Sequence, residues 1–152
     1  MKNTRDDRYL DLAKFFAGWS KDPSRGVGAV AIDPEKGQVL AQGYNGFPRK
    51  VKELKKRYEN RDTKYRYVVH AEMNCIFNAS YNGVSLNGAT MYVYGLPVCN
   101  ECAKGIIQVG IKRVVSPKNG GLSESEIPEK WSLSVLDSQT MFKEAGVIYD
   151  FI

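Results

Sequence analysis

The order of apolar runs and turn residues constrains the fold of this chain more than any other feature of its sequence. Residues 27–32 form a short apolar run that ends in turn chemistry at residues 33–37, and residues 38–42 follow as its predicted antiparallel partner. From residue 70 onward, segments with helical spacing alternate with strand-length apolar runs. A hairpin followed by βα units predicts an α/β fold in which helices cover both faces of a mixed sheet.

Helix caps and apolar spacing place the individual elements along the chain. Thr4 is a candidate N-cap for the first helix, and Gly146 is a candidate C-cap for the last. The predicted helices cover residues 4–19, 71–81, 101–109 and 131–144, and the predicted strands cover residues 27–32, 38–42, 89–94, 112–115 and 147–150. The 152 residues contain no repeat and no obvious linker, so we expect one domain over residues 1–152.

The positive charge of the chain is concentrated in one segment. The formal net charge is +5, and residues 49–66 hold nine Lys or Arg against three Asp or Glu. That segment therefore carries +6 and the rest of the chain −1. We interpret residues 49–66 as a basic, partly helical excursion from a near-neutral core, so an extended nucleic-acid-binding face is not expected.

The hydropathy and the cysteine content of the chain indicate the cellular compartment in which we expect the protein. No apolar run approaches the length that spans a bilayer, and the first ten residues are too charged to resemble a signal peptide. Three cysteines, two of them spaced as Cys99-x-x-Cys102, argue against a disulfide framework. We expect a cytoplasmic protein in which this pair serves metal binding or redox chemistry.

His70 is the only histidine of the chain, and it lies two residues before Glu72. A lone histidine or a lone Cys-x-x-Cys is a weak signal, but here both fall at predicted helix starts. Catalytic zinc takes three protein ligands and leaves a fourth position for water, and His70, Cys99 and Cys102 satisfy that requirement. Glu72 can then take a proton from the water without binding the metal. The spacing follows the H-x-E…P-C-x-x-C pattern described for zinc nucleobase deaminases.

Val98 and Cys75 lie near this pattern, and the sequence predicts a role for each. Val98 separates Pro97 from the first cysteine, whereas the pattern places the proline directly before it. We interpret Val98 as a one-residue insertion that changes the local backbone but not the ligands. Cys75 is the remaining thiol, and its position on the helix after Glu72 predicts a small core residue rather than a fourth ligand.

The sequence around these residues resembles the deoxycytidylate (dCMP) deaminase family. The resemblance runs over about residues 20–115 and resumes at residues 145–147. It is carried by Lys-Asp-Pro-Ser at 21–24, Gly-Tyr-Asn-Gly-Phe-Pro at 43–48, Asp-Thr-Lys-Tyr at 62–65, His-Ala-Glu-Met-Asn at 70–74 and Cys-Asn-Glu-Cys-Ala-Lys-Gly at 99–105. The zinc motif is shared by all cytidine deaminase-like enzymes, and the first two segments narrow the resemblance to this branch.

The resemblance implies a fold and an activity. The fold would be a three-layer α/β/α sandwich around a five-stranded mixed sheet. The activity would be zinc-dependent hydrolysis of dCMP to dUMP and ammonia, with one zinc ion per chain and Glu72 moving protons between water, N3 of the pyrimidine and the departing amine. The resemblance also implies a homo-oligomer, either a dimer or a hexamer.

The resemblance further implies a set of substrate contacts. Asn45 would meet the sugar hydroxyl, and the Ala71 backbone amide would meet the base carbonyl. The phosphate would lie near Ser24 and Arg25, although Arg25 is equally consistent with a solvated surface charge.

Two segments depart from the family pattern. The resemblance implies an effector site for dCTP and dTTP at the loop that contains Gly43, Tyr44 and Gly46. Effector-responsive members of the family have a glycine shortly after this loop, whereas this chain has Arg49-Lys50. We therefore expect reduced or absent regulation. The family's pocket often receives a tyrosine from the loop after the fourth strand, and residues 116–130 contain none.

Two other functions stay open at this point. An editing deaminase acting on tRNA or single-stranded DNA would use the same zinc site, with residues 49–66 along the backbone and Tyr58, Tyr65 and Tyr67 as stacking platforms. A non-catalytic binding module would keep the zinc as scaffold only. Glu72 argues against such a module, because a structural zinc site has no use for an unliganded carboxylate.

Overall fold

The computed structural model describes residues 4–123, 126, 129 and 131–152, and these residues form a five-stranded sheet with helices packed on it. The helices are α1 (Arg5–Ala17), α2 (Lys55–Glu59), α3 (Arg61–Tyr67), α4 (Ala71–Tyr81), α5 (Asn100–Gln108) and α6 (Trp131–Ala145). The strands are β1 (Gly28–Ile32), β2 (Val39–Tyr44), β3 (Thr90–Tyr94), β4 (Arg113–Ser116) and β5 (Ile148–Phe151). Over the described ranges, no helix combines the length and apolar character needed to cross a bilayer.

The sheet is mixed, as the alternation of elements predicts. Its strand order is β2-β1-β3-β4-β5. Strand β1 runs antiparallel to both β2 and β3, whereas β3, β4 and β5 run parallel to one another. The predicted hairpin is thus β1–β2, and the parallel strands are joined through α5 and α6 as βα units require.

Side chains alternate between the two faces of the central strands. Val30, Ile32 and Tyr92 pack with α1 on one face. Ala29 and Met91 belong to the larger core on the opposite face, which α4, α5 and α6 cover. Because successive strand residues point to opposite faces, the uniformly apolar β1 is buried on both sides. The predicted three-layer α/β/α arrangement is confirmed.

The helix ends follow the chemistry of their caps. Thr4 and Asp7 form a reciprocal capping box at the start of α1, in which each side chain accepts from the other residue's backbone N–H. Gly146, just after α6, has φ of +76°, the left-handed conformation expected of a C-cap glycine. The predicted boundaries of α4 match the observed ones, and those of the other predicted elements differ by at most two residues at either end.

The basic segment forms two short helices between β2 and α4. Asn60 ends α2 and also begins α3, where its side chain accepts from the Thr63 N–H, so the segment cannot continue as one helix. The Tyr58 ring stacks on Phe47 with centroids 4.3 Å apart, which fixes α2 against the loop after β2. Within residues 49–66 the helical parts are α2 and α3.

Strand β2 approaches α4 so closely that one position between them has no room for a side chain. A Cβ atom on Gly43 would lie 2.4 Å from the Cys75 backbone N and 2.6 Å from the Ala71 O. Gly46, three residues further on, has its nearest such neighbour at 3.7 Å, the Glu53 Oε1 atom. Gly43 is therefore required by packing against the helix that follows His70.

We predict that Gly43→Ala destabilises the protein by about 1–3 kcal/mol, because β2 or α4 must move to admit the methyl group. Gly46→Ala, in the same loop but with space for a Cβ, should cost less than about 1 kcal/mol. Urea unfolding of both variants measures the difference. Equal losses in the free energy of unfolding for the two variants would show that β2 does not pack against α4 as closely as the structure indicates.

Candidate active site

Three potential metal ligands converge from the starts of two helices. His70 is the N-cap of α4, Cys99 is the N-cap of α5, and Cys102 lies in the first turn of α5. The His70 Nδ1 atom lies 3.4 Å from each of the two Sγ atoms. All three ligand atoms lie within 4.8 Å of one another. Helices α4 and α5 pack side by side on one face of the sheet, which brings their first turns together.

These positions fit a tetrahedral zinc ion. Zinc–sulfur bonds of about 2.3 Å and zinc–nitrogen bonds of about 2.0–2.1 Å place a tetrahedral nitrogen and sulfur roughly 3.6 Å apart. The observed separation of 3.4 Å is close to this value for both cysteines. His70, Cys99 and Cys102 are thus positioned to bind a metal ion with three donors. Cys75 lies outside this group and in the core, as predicted.

The charges of the three ligands are coupled. A hydrogen bond from Cys102 and a second from His70 lower the pKa of Cys99 to about 4. The hydrogen bond to Cys99 raises the pKa of His70 to about 9, and donation to Cys99 raises that of Cys102. Zinc binds cysteine as thiolate and histidine as neutral imidazole, so zinc uptake should release the protons that these groups hold.

Glu72 lies in the first turn of α4, two residues after the histidine ligand. Its carboxyl group is 4% exposed, and burial raises its pKa to about 7, with a further contribution from the Cys99 thiolate. A buried carboxyl beside a metal site is suited to carry a proton.

Both backbone polar groups of Val98, which lies directly before Cys99, form hydrogen bonds. Its side chain is fully buried, its N–H donates to the Tyr149 hydroxyl over 3.1 Å, and its carbonyl accepts from the Ser138 hydroxyl over 2.9 Å. Tyr149 lies on β5 and Ser138 on α6. These two elements hold the backbone at Val98 where Cys99 begins α5.

A cleft of about 750 Å³ opens beside the ligands. His70 and Glu72 line it, together with the four residues expected to contact substrate, which are Ser24, Arg25, Asn45 and Ala71. The structure therefore brings all of these predicted residues around one cavity. Ala71 begins α4, so its backbone N–H lies among the helix's first N–H groups, which have no intrahelical acceptor.

Asn45 has a structural role in addition to its predicted contact. Its Oδ1 atom accepts from the Val27 N–H over 2.8 Å, and its Nδ2 atom donates to the Arg25 carbonyl over 2.9 Å. These bonds fix the loop before β1, which forms one wall of the cleft. One amide hydrogen and one lone pair remain for a ligand, so the contact with a sugar hydroxyl stays a prediction.

The predicted effector residues lie outside the cleft. Gly43 packs against α4, and Gly46 pairs with Val69 in an isolated bridge. Tyr44 is partly exposed and contacts Trp19 with ring centroids 6.0 Å apart. Lys50 has φ of +67°, the region that glycine adopts most readily.

Several residues line the cleft that the sequence did not indicate as nucleotide contacts. Trp131 follows directly after the tyrosine-free loop of residues 116–130, and its ring lies 6.3 Å from that of His70, edge to face. Tyr58 and Lys64 line the cleft from the basic segment. Lysines are almost never buried without a partner, and nothing in the local sequence indicates one for Lys64.

The chain was compared with known proteins. Residues 3–117 match the sequence profile of the family described as "Cytidine and deoxycytidylate deaminase zinc-binding region". A deoxycytidylate deaminase of Homo sapiens is 44% identical over 123 residues, which cover 73% of this chain and 66% of that protein. A probable deoxycytidylate deaminase of Drosophila melanogaster is 42% identical over 120 residues, covering 72% and 57%. The matched part thus spans less than two thirds of these relatives.

The fold has a close counterpart among solved structures. The crystal structure of dCMP deaminase from the cyanophage S-TIM5 in complex with dCMP and dUMP superimposes with a TM-score of 0.74. The superposition covers 100% of this chain and 99% of that one, at 23% sequence identity. The likeness at this level of identity supports the fold.

We predict that the purified protein binds one zinc ion per chain and that His70→Ala and Cys102→Ala each lose it, because two donors rarely hold zinc in a protein. Cys75→Ala is the matched control, since it removes a buried thiol outside the ligand group and should retain the metal. Metal content after gel filtration measures all three. Full zinc occupancy in Cys102→Ala, or loss of zinc in Cys75→Ala, would overturn the assignment.

Proposed function

This chain belongs to the family of zinc-binding cytidine and deoxycytidylate deaminases, and on that premise we propose that it hydrolyses dCMP to dUMP and ammonia. The observation that carries the proposal is the position of Glu72, a buried carboxyl group beside a complete set of three zinc ligands at a cleft. A zinc site that only held the fold would gain nothing from this carboxyl group, and burying it costs free energy.

The proposed reaction replaces the exocyclic amine at C4 of cytosine by oxygen. Zinc bound by His70, Cys99 and Cys102 would lower the pKa of a water ligand towards neutrality and so supply the nucleophile. Glu72 takes one proton from the attacking water and delivers it to N3 of the base. It then takes the proton of the hydroxyl group added at C4 and passes it to the amine, so that the C4–N bond breaks, the C4 carbonyl forms and ammonia leaves. The carboxylate is regenerated at the end of the cycle.

The rest of the cleft orients the nucleotide in this proposal. The Ala71 N–H donates to the base carbonyl, and Asn45 holds the sugar hydroxyl with the hydrogen-bonding capacity that its loop contacts leave. Ser24 and Arg25 lie at the phosphate end. Arg25 lines the cleft, and in this proposal its guanidinium donates to the phosphate.

We predict that Glu72→Gln retains zinc and loses turnover by about 10²–10⁴-fold, because glutamine keeps the shape of the side chain but cannot carry a proton. Glu101→Gln is the matched control: this glutamate lies on the exposed side of α5, paired with Lys104, and its loss should change the rate less than about twofold. Steady-state rates and metal content measure both. Wild-type turnover in Glu72→Gln contradicts the assigned role.

We predict that dCMP is preferred over deoxycytidine by at least about tenfold in kcat/KM, because charge-assisted hydrogen bonds to the phosphate contribute about 1.5–3 kcal/mol each. Arg25→Ala should narrow this gap, and Arg49→Ala, outside the cleft, should not. Assays with nucleoside, monophosphate and oligonucleotide make the comparison. Equal rates on dCMP and deoxycytidine contradict the preference for a monophosphate, and turnover of the oligonucleotide alone would favour an editing deaminase. The stacking of Tyr58 on Phe47 already removes one platform that an editing enzyme would need.

We also propose that the protein acts as a homo-oligomer in the cytoplasm. Phe15, Trp19 and Tyr44 form an exposed aromatic patch, with neighbouring ring centroids 5.7 and 6.0 Å apart, and patches of this kind mark contact sites. The three unpaired cysteines suit a reducing compartment. Sedimentation at micromolar concentration should show a species larger than the 17.1 kDa chain, and Trp19→Ser should weaken it. A 17.1 kDa species alone would argue against self-association.

A further inference from the structure

Cys99 begins α5 and is also a metal ligand, so the position of its backbone sets the position of its Sγ atom. The residue before it, Val98, has its N–H bound by the Tyr149 hydroxyl of β5 and its carbonyl bound by the Ser138 hydroxyl of α6. Ser138 is 0% exposed, so its hydroxyl depends on protein partners. The backbone that enters Cys99 is thus fixed by two elements that contribute none of the three ligands.

The residue after Cys99 is held in the same way. The Asn100 N–H donates to the Ser134 hydroxyl over 2.9 Å, and that hydroxyl donates in turn to the Asn100 Oδ1 atom over 2.8 Å. Asn100 is the first residue of α5, whose leading N–H groups have no acceptor within the helix. Ser134 lies one turn before Ser138 in α6, and the Ser138 hydroxyl also approaches the Ser134 carbonyl, over 3.0 Å. One face of α6 therefore presents two hydroxyl groups to the start of α5.

These bonds involve backbone groups rather than ligand side chains, so they hold the backbone at Cys99 before zinc binds. The Tyr149 ring is itself fixed by an edge-to-face contact with the buried Phe142, with ring centroids 5.2 Å apart. A site whose ligands are in place before the metal arrives loses less ordering entropy on binding. Removing a group that orients a metal ligand typically weakens metal binding by about 10–100-fold.

We propose that three hydroxyl groups position Cys99 for zinc and thereby raise the affinity of the chain for the metal, those of Ser134, Ser138 and Tyr149. These positioning residues act through the backbone on both sides of the ligand. All three lie outside residues 3–117, the part of the chain that matches the family profile. The inference goes beyond the proposed reaction, because it concerns zinc affinity and holds whichever nucleotide is the substrate.

The test measures the dissociation constant for zinc in the full chain, by competition with a chelator. Tyr149→Phe keeps the ring and removes the acceptor of the Val98 N–H. Tyr92→Phe is the matched control. It also removes a hydrogen-bonded tyrosine hydroxyl, which donates to the Asp6 carboxylate over 2.7 Å, but on the face of the sheet that carries α1.

The serines are tested by Ser138→Ala and Ser134→Ala. Thr140→Val is their control, because the Thr140 hydroxyl donates to the Leu136 carbonyl of the same helix. Ser134→Thr retains a hydroxyl group and should retain the wild-type affinity for zinc. Because Ser138→Ala leaves the buried Val98 carbonyl without this donor, Ser134→Ala and Tyr149→Phe keep the inference testable if that variant does not fold.

We expect the dissociation constant for zinc to rise by at least about tenfold when any of the three hydroxyl groups is removed, and to stay near the wild-type value in the controls. Urea unfolding with and without zinc separates positioning from general stability. Bound zinc stabilises the folded protein in proportion to the logarithm of its affinity, so a positioning variant loses more stability in the zinc-loaded form than in the zinc-free form. Tyr92→Phe should lose the same amount in both forms.

Wild-type affinity for zinc in folded Tyr149→Phe and Ser134→Ala overturns the inference. Equal losses of stability with and without zinc in these variants would show a role in folding alone, and would overturn it as well. Weaker zinc binding in Tyr92→Phe, to the same extent as in Tyr149→Phe, would show that any lost core hydroxyl has this effect and would also overturn it.

Discussion

The structure depends on one convergence: the first turns of α4 and α5 must meet at a point. Both helices pack on the same face of the sheet, and each begins at a residue that also serves as a ligand, His70 for α4 and Cys99 for α5. The resulting Nδ1–Sγ distance of 3.4 Å leaves little tolerance, since zinc ligation accepts deviations of only about 0.2 Å. Gly43 allows β2 to lie directly against α4, and Tyr149 and Ser138 hold Val98, the residue before Cys99. Each of these contacts helps to hold the first turns of α4 and α5 in position relative to each other.

The same convergence explains how a carboxyl group remains buried next to the ligands. Glu72 lies in the first turn of α4. There the positive end of the helix dipole and any bound cation favour its charged form, while burial favours its neutral form. A group balanced between the two states near neutral pH can accept and return protons within one catalytic cycle. The cleft in front of Glu72 is lined by the loop that Asn45 fixes and by the basic segment. The same few contacts therefore set the fold around Glu72, its electrostatic surroundings and the access of a ligand to it.

The sequence predicted the layers and the ligands well, and for identifiable reasons. Strand runs and helix caps are local signals, and His70, Glu72 and the Cys-x-x-Cys pair are specified by short spacings that a helix start converts directly into geometry. Lys64 could not be placed in the same way, because its partner Asp22 is 42 residues away and nothing local distinguishes it from the solvated lysines around it. Tyr58 would be a stacking platform in an editing deaminase, but its ring stacks on Phe47. Whether a residue of the basic segment is buried or exposed depends on partners that are distant in sequence, and local sequence pattern does not reveal these partners.

The central claim is that this constellation performs hydrolytic deamination at C4 of a pyrimidine nucleotide. The most direct measurement is incubation of the zinc-loaded protein with dCMP in water enriched in oxygen-18, followed by mass spectrometry of the nucleotide and assay of released ammonia. The account predicts equimolar dUMP and ammonia, with one oxygen-18 atom incorporated on the base of each dUMP formed. Recovery of unchanged dCMP from folded, fully zinc-loaded protein, or formation of dUMP without label from the solvent, would contradict it.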